Sequence, residues 1–364
     1  MNFSDGDFEL REIQKLEGHA GKVLGIAWKQ DTGVWGCPAV IASWSDDNTV
    51  RIWEQNFSGT FNFKAVLEES HARTVRSCAW SPPFKLLAVA CSDATTAIWK
   101  NAGDVYERVY TLEGHDNGVR SVSWNVNGEL LATCGGDKSV WIWEVLPGNE
   151  FDCVSVLQGH TKYAKMVQWL GDYDLFSCSN DNTIKVWEET REEDDWPCIQ
   201  TLGKSDSGHT STISCLSFNK YGDKMVSCSD DLTIKIWSCE SETNYVGSKT
   251  FWKHVCTLSG YHDRTIFSVD WMREAIHWVP VEEPAIIASV GADDAIRLFI
   301  ENKDNEVDGF TFKLLLKKEK AHEMNINSVK WNAGDKRLLA SASDDGTVKI
   351  WELVCPCPAG HMAS

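Results

Sequence analysis

Short runs of β-branched and aromatic residues alternate along the chain with clusters of Asp, Asn, Gly and Ser. The first stretch shows the pattern. Val23–Trp28, Ile41–Ser45, Val50–Trp53 and Phe63–Leu67 are apolar runs of strand length, and the turn Asp46-Asp47-Asn48 separates the second from the third. Runs of this kind bounded by turn residues predict β-strands, here denoted a to d. The same order returns to the end of the chain, so repetition organises the sequence.

Seven histidines punctuate it: His19, His71, His115, His160, His209, His262 and His322. Nine residues after each stands an aromatic: Trp28, Trp80, Trp124, Trp169, Phe218, Trp271 and Trp331. Farther on, an aspartate in the b–c turn lies six residues ahead of a second aromatic. These pairs are Asp47 and Trp53, Asp93 and Trp99, Asp137 and Trp143, Asp181 and Trp187, Asp231 and Trp237, Asp293 and Phe299, Asp345 and Trp351. In each unit the histidine, the aspartate, a strand-b hydroxyl and the strand-c tryptophan can form one buried hydrogen-bonded chain, which fixes the unit when every member is satisfied. The hydroxyl is Ser43, Thr133, Ser177, Ser227, Ser289 or Ser341, with Val89 the exception.

This double spacing resembles the WD40 repeat, and seven such units imply an all-β, seven-bladed β-propeller. The last unit stops after strand c, whereas a spare strand, FELREIQKL at 8–16, precedes the first histidine. Pairing the two closes the ring and removes an open edge. Residues 8–354 are therefore expected to form a single propeller, with 1–7 disordered and 355–364 an unstructured tail. The longer insertions, such as Lys29–Val40, Glu188–Trp196 and Ser238–Lys253, fall between a and b or between c and d, which is one face of the disc. The opposite face keeps short loops.

Composition narrows the function. The chain has 364 residues and a formal charge of −18, which disfavours nucleic acid and anionic lipid as partners. No apolar run approaches the roughly 18 residues of a membrane span. Thirteen cysteines, mostly inside apolar runs and without a CxxC pair, fit a reduced cytosolic or nuclear compartment. They offer no ligand set for a metal or a cluster, and no cofactor is expected. No Gly-rich phosphate loop, HExxH or GxSxG is present.

Function then falls to the short-loop face, where three positions per unit look outward: three and five residues after the histidine, and one before the aspartate. The plus-five residues are Leu24, Arg76, Arg120, Lys165, Ser214, Phe267 and Asn327. With Lys22 at plus-three, they give units 1 to 4 a basic arc (Lys22, Arg76, Arg120, Lys165) opposite an acidic arc of Asp230, Asp344 and Asp46. A positive arc on an acidic protein suits a carboxylate-bearing partner.

Particular stretches go beyond the generic repeat: FELREIQKLEGH at 8–19, RTVRSCAWSP at 73–82, DATTAIWK at 93–100, DKSVWIWEV at 137–145 and LSGYHDRTI at 258–266. Over roughly residues 8 to 354 the chain is similar to the WD40 subunit of the cytosolic iron–sulfur protein assembly family, in its plant-like form. The resemblance implies a non-catalytic scaffold that works with adaptors, receives apo-client proteins and holds no cluster itself. Arg76, Arg120 and Lys165 match basic positions of the family. Gly118, Tyr163 and Asn325 stand where it usually has carboxylates, and Gly136 where it presents an arginine. Leu24, Ser214 and Phe267 replace aromatics, and Trp44 replaces a small residue. Two readings follow. In one, the basic arc holds acidic tails of adaptors or clients. In the other, a diverged mouth lined by Trp44, Tyr163 and Phe267 binds or converts a small molecule, with Asp46, Asp230, Cys91 and Lys165 as acid–base groups.

Overall fold

A computed structural model describes residues 8–29, 38–68, 73–82, 85–103, 105–190, 195–244, 247–272, 285–302, 311–334 and 337–354. The expectations for 1–7 and 355–364 lie outside these residues. The strands fall into seven four-stranded antiparallel sheets, the blades of a propeller. Strand order within each blade is sequential except in blade 7, where Glu9–Leu16 supplies the outermost strand beside Val348–Val354.

Each strand's composition follows from its radial place. Strand b is clasped between neighbouring blades, so Leu86–Cys91 and Leu338–Ser343 are buried at every position. The outer strand d has one wet face, and Glu150–Leu157 alternates accordingly. The core is therefore a set of layers between blades, each assembled from two successive sheets.

The closing strand is held on both sides. Leu10 joins the layer between blades 6 and 7, while Leu16 joins the layer between blades 7 and 1. The side-chain amide of Gln14 donates to Phe61 O at 2.7 Å and accepts from Phe61 N at 2.8 Å, which ties the strand to blade 1. Gln200 makes the same two-way contact with Trp252 between blades 4 and 5.

The predicted polar chain is present. In blade 5, Trp237 Nε1 donates to Ser227 Oγ at 2.9 Å, Ser227 Oγ lies 2.8 Å from His209 Nε2, and His209 Nδ1 lies 2.9 Å from Asp231 Oδ2. The order is self-consistent when the histidine is neutral and carries its hydrogen on Nδ1. Blades 1, 3, 4 and 7 repeat it. In blade 6, Phe299 has no N–H to give and Ala295 no hydroxyl; there Arg297, 3% exposed, pairs with Asp293 at 2.7 Å. In blade 2, His71 lies outside the described residues, and Val89 leaves the buried Trp99 Nε1 without an acceptor among the described residues. Thr133 fills this strand-b position in blade 3 and accepts from Trp143. Val89→Thr is therefore expected to raise stability by about 1 kcal/mol in denaturant titration; a loss of stability would deny that blade 2 lacks an acceptor.

Burial pushes the Asp47 carboxyl up, but hydrogen bonds from Thr49, His19 and the Ala20 amide outweigh it and hold the pKa at about 2. Asp137 is held at about 2 in the same way, by His115 and Ser139. Because the folded pKa is depressed, this stabilisation is complete above the unfolded value, near 3.9, and is lost as pH falls through the folded value. Melting temperature is thus expected to drop steeply between about pH 4 and pH 2; a flat profile there would contradict the pairing.

An unpredicted regularity lies at the insertion face. An aromatic in or just before strand d packs against the strand-a aromatic of its own blade in the pairs Trp28–Phe61, Trp80–Tyr106, Trp124–Phe151, Trp169–Trp196, Phe218–Trp252 and Trp271–Phe312, with ring centroids 5.2 to 6.3 Å apart. The segment expected to be an insertion in blade 5 instead extends strands c and d into a long hairpin, Ile234–Asn244 with Gly247–Leu258.

Candidate functional site: the short-loop mouth

The inner a strands surround a cavity of about 630 Å³, which runs from the short-loop mouth to the strand-a tryptophans near the insertion face. A single backbone device sets what the mouth displays. In all seven blades the a–b pairing skips one residue just inside the start of strand a. The skipped residues are Leu24, Arg76, Arg120, Lys165, Ser214, Phe267 and Asn327, the plus-five set. A bulge frees one residue from the ladder and re-aims its side chain. All seven are half-buried, and Arg76, Arg120, Lys165 and Phe267 are among the residues lining the cavity.

Three cations from blades 2, 3 and 4 thus stand side by side. Arg76 Nε donates to Ser92 Oγ at 2.7 Å, and the Arg120 guanidinium lies 5.9 Å from the centre of the Tyr163 ring. Burial, then the charge of Arg120, pulls the Arg76 pKa down. Lys165 is lowered first by burial and then by Arg120, against a weaker pull from Asp230. Among the described residues none of the three forms an ion pair.

Lys22 is placed differently. Its ammonium is 3.0 Å from Asp344 Oδ2, and Asn327 Nδ2 donates to Asp344 Oδ1 at 2.8 Å and to Val23 O at 2.9 Å. One end of the basic arc and one member of the acidic arc therefore bind each other across the seam between blades 7 and 1. Asp46 and Asp230 are exposed at the rim.

Trp44 is a buried part of the wall, 8% exposed. It pairs with Gly25, and a Cβ on Gly25 would sit 2.1 Å from the indole. At this pair the other blades have a strand-a residue larger than glycine opposite a strand-b residue smaller than tryptophan, such as Ser77 with Ala90 and Met166 with Cys178. The tryptophan and the glycine are one exchange of volume. Trp44 Nε1 donates to Arg76 O at 3.0 Å, so the indole also braces the bulge that carries Arg76. Gly118 has a comparable reason: a Cβ there would come within 2.9 Å of the Ser92 backbone. At Gly136 a Cβ would press on the Asn117 side chain.

The small-molecule-converting reading is not supported. Cys91 is fully buried, its thiol donates to Arg73 O at 3.0 Å, and burial raises its pKa to about 12. Trp44 is packed into the wall, while Tyr163 is 43% exposed at the rim, so the three aromatics do not form one enclosing box. The sequence places Ser92 at an outward position without showing that it holds Arg76, and it does not mark Gly25, because each acts through another residue.

These features define a WD40 propeller with a cationic axial mouth. The family model described as "WD domain, G-beta repeat" matches residues 10–54, 62–100, 106–144, 151–188, 196–238 and 313–352, and the chain belongs to that family. Blade 6, with Phe299, Ala295 and Arg297 at repeat positions, is not among the matches.

Among individual relatives, "Protein CIA1" of Arabidopsis thaliana is 56% identical over 97% of this chain and 99% of its own length. The "Probable cytosolic iron-sulfur protein assembly protein Ciao1" of Culex quinquefasciatus is 39% identical over 94% and 98%. The corresponding "CIAO1 homolog" of Chlamydomonas reinhardtii is 38% identical over 95% and 99%. Within the WD40 proteins, the chain is a member of the cytosolic iron–sulfur protein assembly family.

Proposed function

We propose that the protein is a non-catalytic scaffold of cytosolic iron–sulfur protein assembly, and that its short-loop mouth takes anionic groups of adaptor or apo-client proteins. The end-to-end likeness to the assembly proteins carries the first half of this reading. The second half is supported by Arg76, Arg120 and Lys165, which the bulges hold side by side and which form no ion pair among the described residues. Such cations attract an anionic partner and fix its register. The work is assigned to the cytosol, with the nucleus a second site. The test is capture of purified assembly adaptors and an apo-client by immobilised protein. Arg120→Glu is expected to lower affinity by about tenfold or more, since a charge reversal replaces attraction with repulsion, while the melting temperature stays within about 2 °C of the parent. Capture undiminished by the reversal would remove the arc from partner binding.

A further inference from the structure

The charge pattern of the mouth is selective. In ring order, blades 1 to 5 present Asp46, Arg76, Arg120, Lys165 and Asp230. Asp46 lies near enough to act on Arg76, and Asp230 on Lys165. Three cations that repel one another are therefore bracketed by a carboxylate at each end. Because Gly118 and Gly136 fill the other two outward positions of blade 3, Arg120 is the one side chain that blade presents from its three.

Half-buried like charges that form no ion pair among the described residues are unfavourable side by side, and an anion seated among them relieves the repulsion. A lone carboxylate supplies one negative charge. An extended acidic segment supplies more, but it must run along the rim past Asp46 or Asp230, where like charge opposes it. An oxyanion with several charges on one compact centre meets the arc without reaching its ends, and guanidinium forks suit its oxygens.

We propose that the mouth is a binding site for a phosphoryl-type multivalent oxyanion, centred on Arg120 with Arg76 and Lys165 on either side. This rests on the reading of this face as the partner surface and specifies the group that enters it. The anion comes either free in solution or on a phosphorylated side chain of a partner.

Isothermal titration calorimetry on the full chain tests this, at one fixed ionic strength because exposed charges are screened within about 8 Å at physiological salt. The probes are pyrophosphate, a phosphoserine peptide, its unphosphorylated triglutamate counterpart, and acetate. Pyrophosphate or the phosphopeptide is expected to bind about tenfold or more tightly than triglutamate, and acetate to give no signal. Tighter pyrophosphate binding identifies a free anion as the source; tighter phosphopeptide binding identifies a modified partner. Arg120→Ala is expected to cost about tenfold in either case with the circular dichroism spectrum unchanged, and Lys165→Met gives a second reading should the first variant fold poorly. Equal affinity for triglutamate, or binding indifferent to both variants, overturns the proposal. Partner capture in phosphate-free buffer is scored separately. Capture that depends on Arg120 in a protein that binds no phosphoryl anion leaves the scaffold reading intact and rejects this one.

Discussion

Deletion of residues 1–16 is expected to abolish the single cooperative melting transition and shift the chain into aggregates on size exclusion. The segment contributes a whole strand to blade 7, paired from Glu9 opposite Val354 to Leu16 opposite Val348. Without it Val348–Val354 becomes an open edge, the template on which chains associate. Leu10 and Leu16 are 2% and 3% exposed, and burying each contributes about 1.5–3 kcal/mol. The strand pairing and the Gln14 contact with Phe61 add to that. A loss of more than about 5 kcal/mol takes most of the stability of an ordinary domain. Leu10→Ala is the milder version and is expected to cost about 2–5 kcal/mol. A truncated chain that melts as the parent does would show that the ring does not depend on this strand.

Ser227→Ala is expected to destabilise by about 2–4 kcal/mol, because it strips two buried nitrogens of their partner at once. Ser227 is 0% exposed, and its oxygen serves both Trp237 Nε1 and His209 Nε2. Removing one partner from a buried network costs the full desolvation of what remains. Ser227→Thr should retain most of the stability, since Thr133 holds the same two contacts in blade 3. Chemical denaturation of both variants separates loss of the hydroxyl from change of volume. An alanine variant within about 0.5 kcal/mol of the parent would mean the chain of bonds adds little to blade 5.

Much of this architecture was legible because it repeats. The histidine, aspartate and tryptophan spacings are imposed by one hydrogen-bonded chain, so they mark each blade even where loops differ in length. The spare strand before His19 and the missing fourth strand after Trp351 point to each other for the same reason. The strand-d aromatics were not legible. They follow the strand-c aromatic at irregular distances, as Phe61 does Trp53 and Trp252 does Trp237, since the c–d connection varies while the stacking does not. The site was half legible. Spacing from the histidine located Arg76, Arg120 and Lys165, but the bulge that turns them inward leaves no mark in composition. The commitment of Lys22 to Asp344 depends on ring closure, which brings residues 322 positions apart in the chain to within hydrogen-bonding distance. Trp44 was readable as an oddity, yet its meaning depended on Gly25, nineteen residues away on the facing strand.

The skipped residue of each a–b pair bears on how such a mouth changes over evolutionary time. Its side chain is excused from the cross-strand register, so replacing it leaves the ladder in place; only Leu24, packed on the layer between blades 1 and 2, and Asn327, bonded across the seam between blades 7 and 1, also serve the frame. The other letters, Arg76, Arg120, Lys165, Ser214 and Phe267, can be rewritten while the frame stays put, and adjacent letters read together as a word. Exchanging these positions between relatives is therefore a direct route to transplanting partner preference without rebuilding the fold.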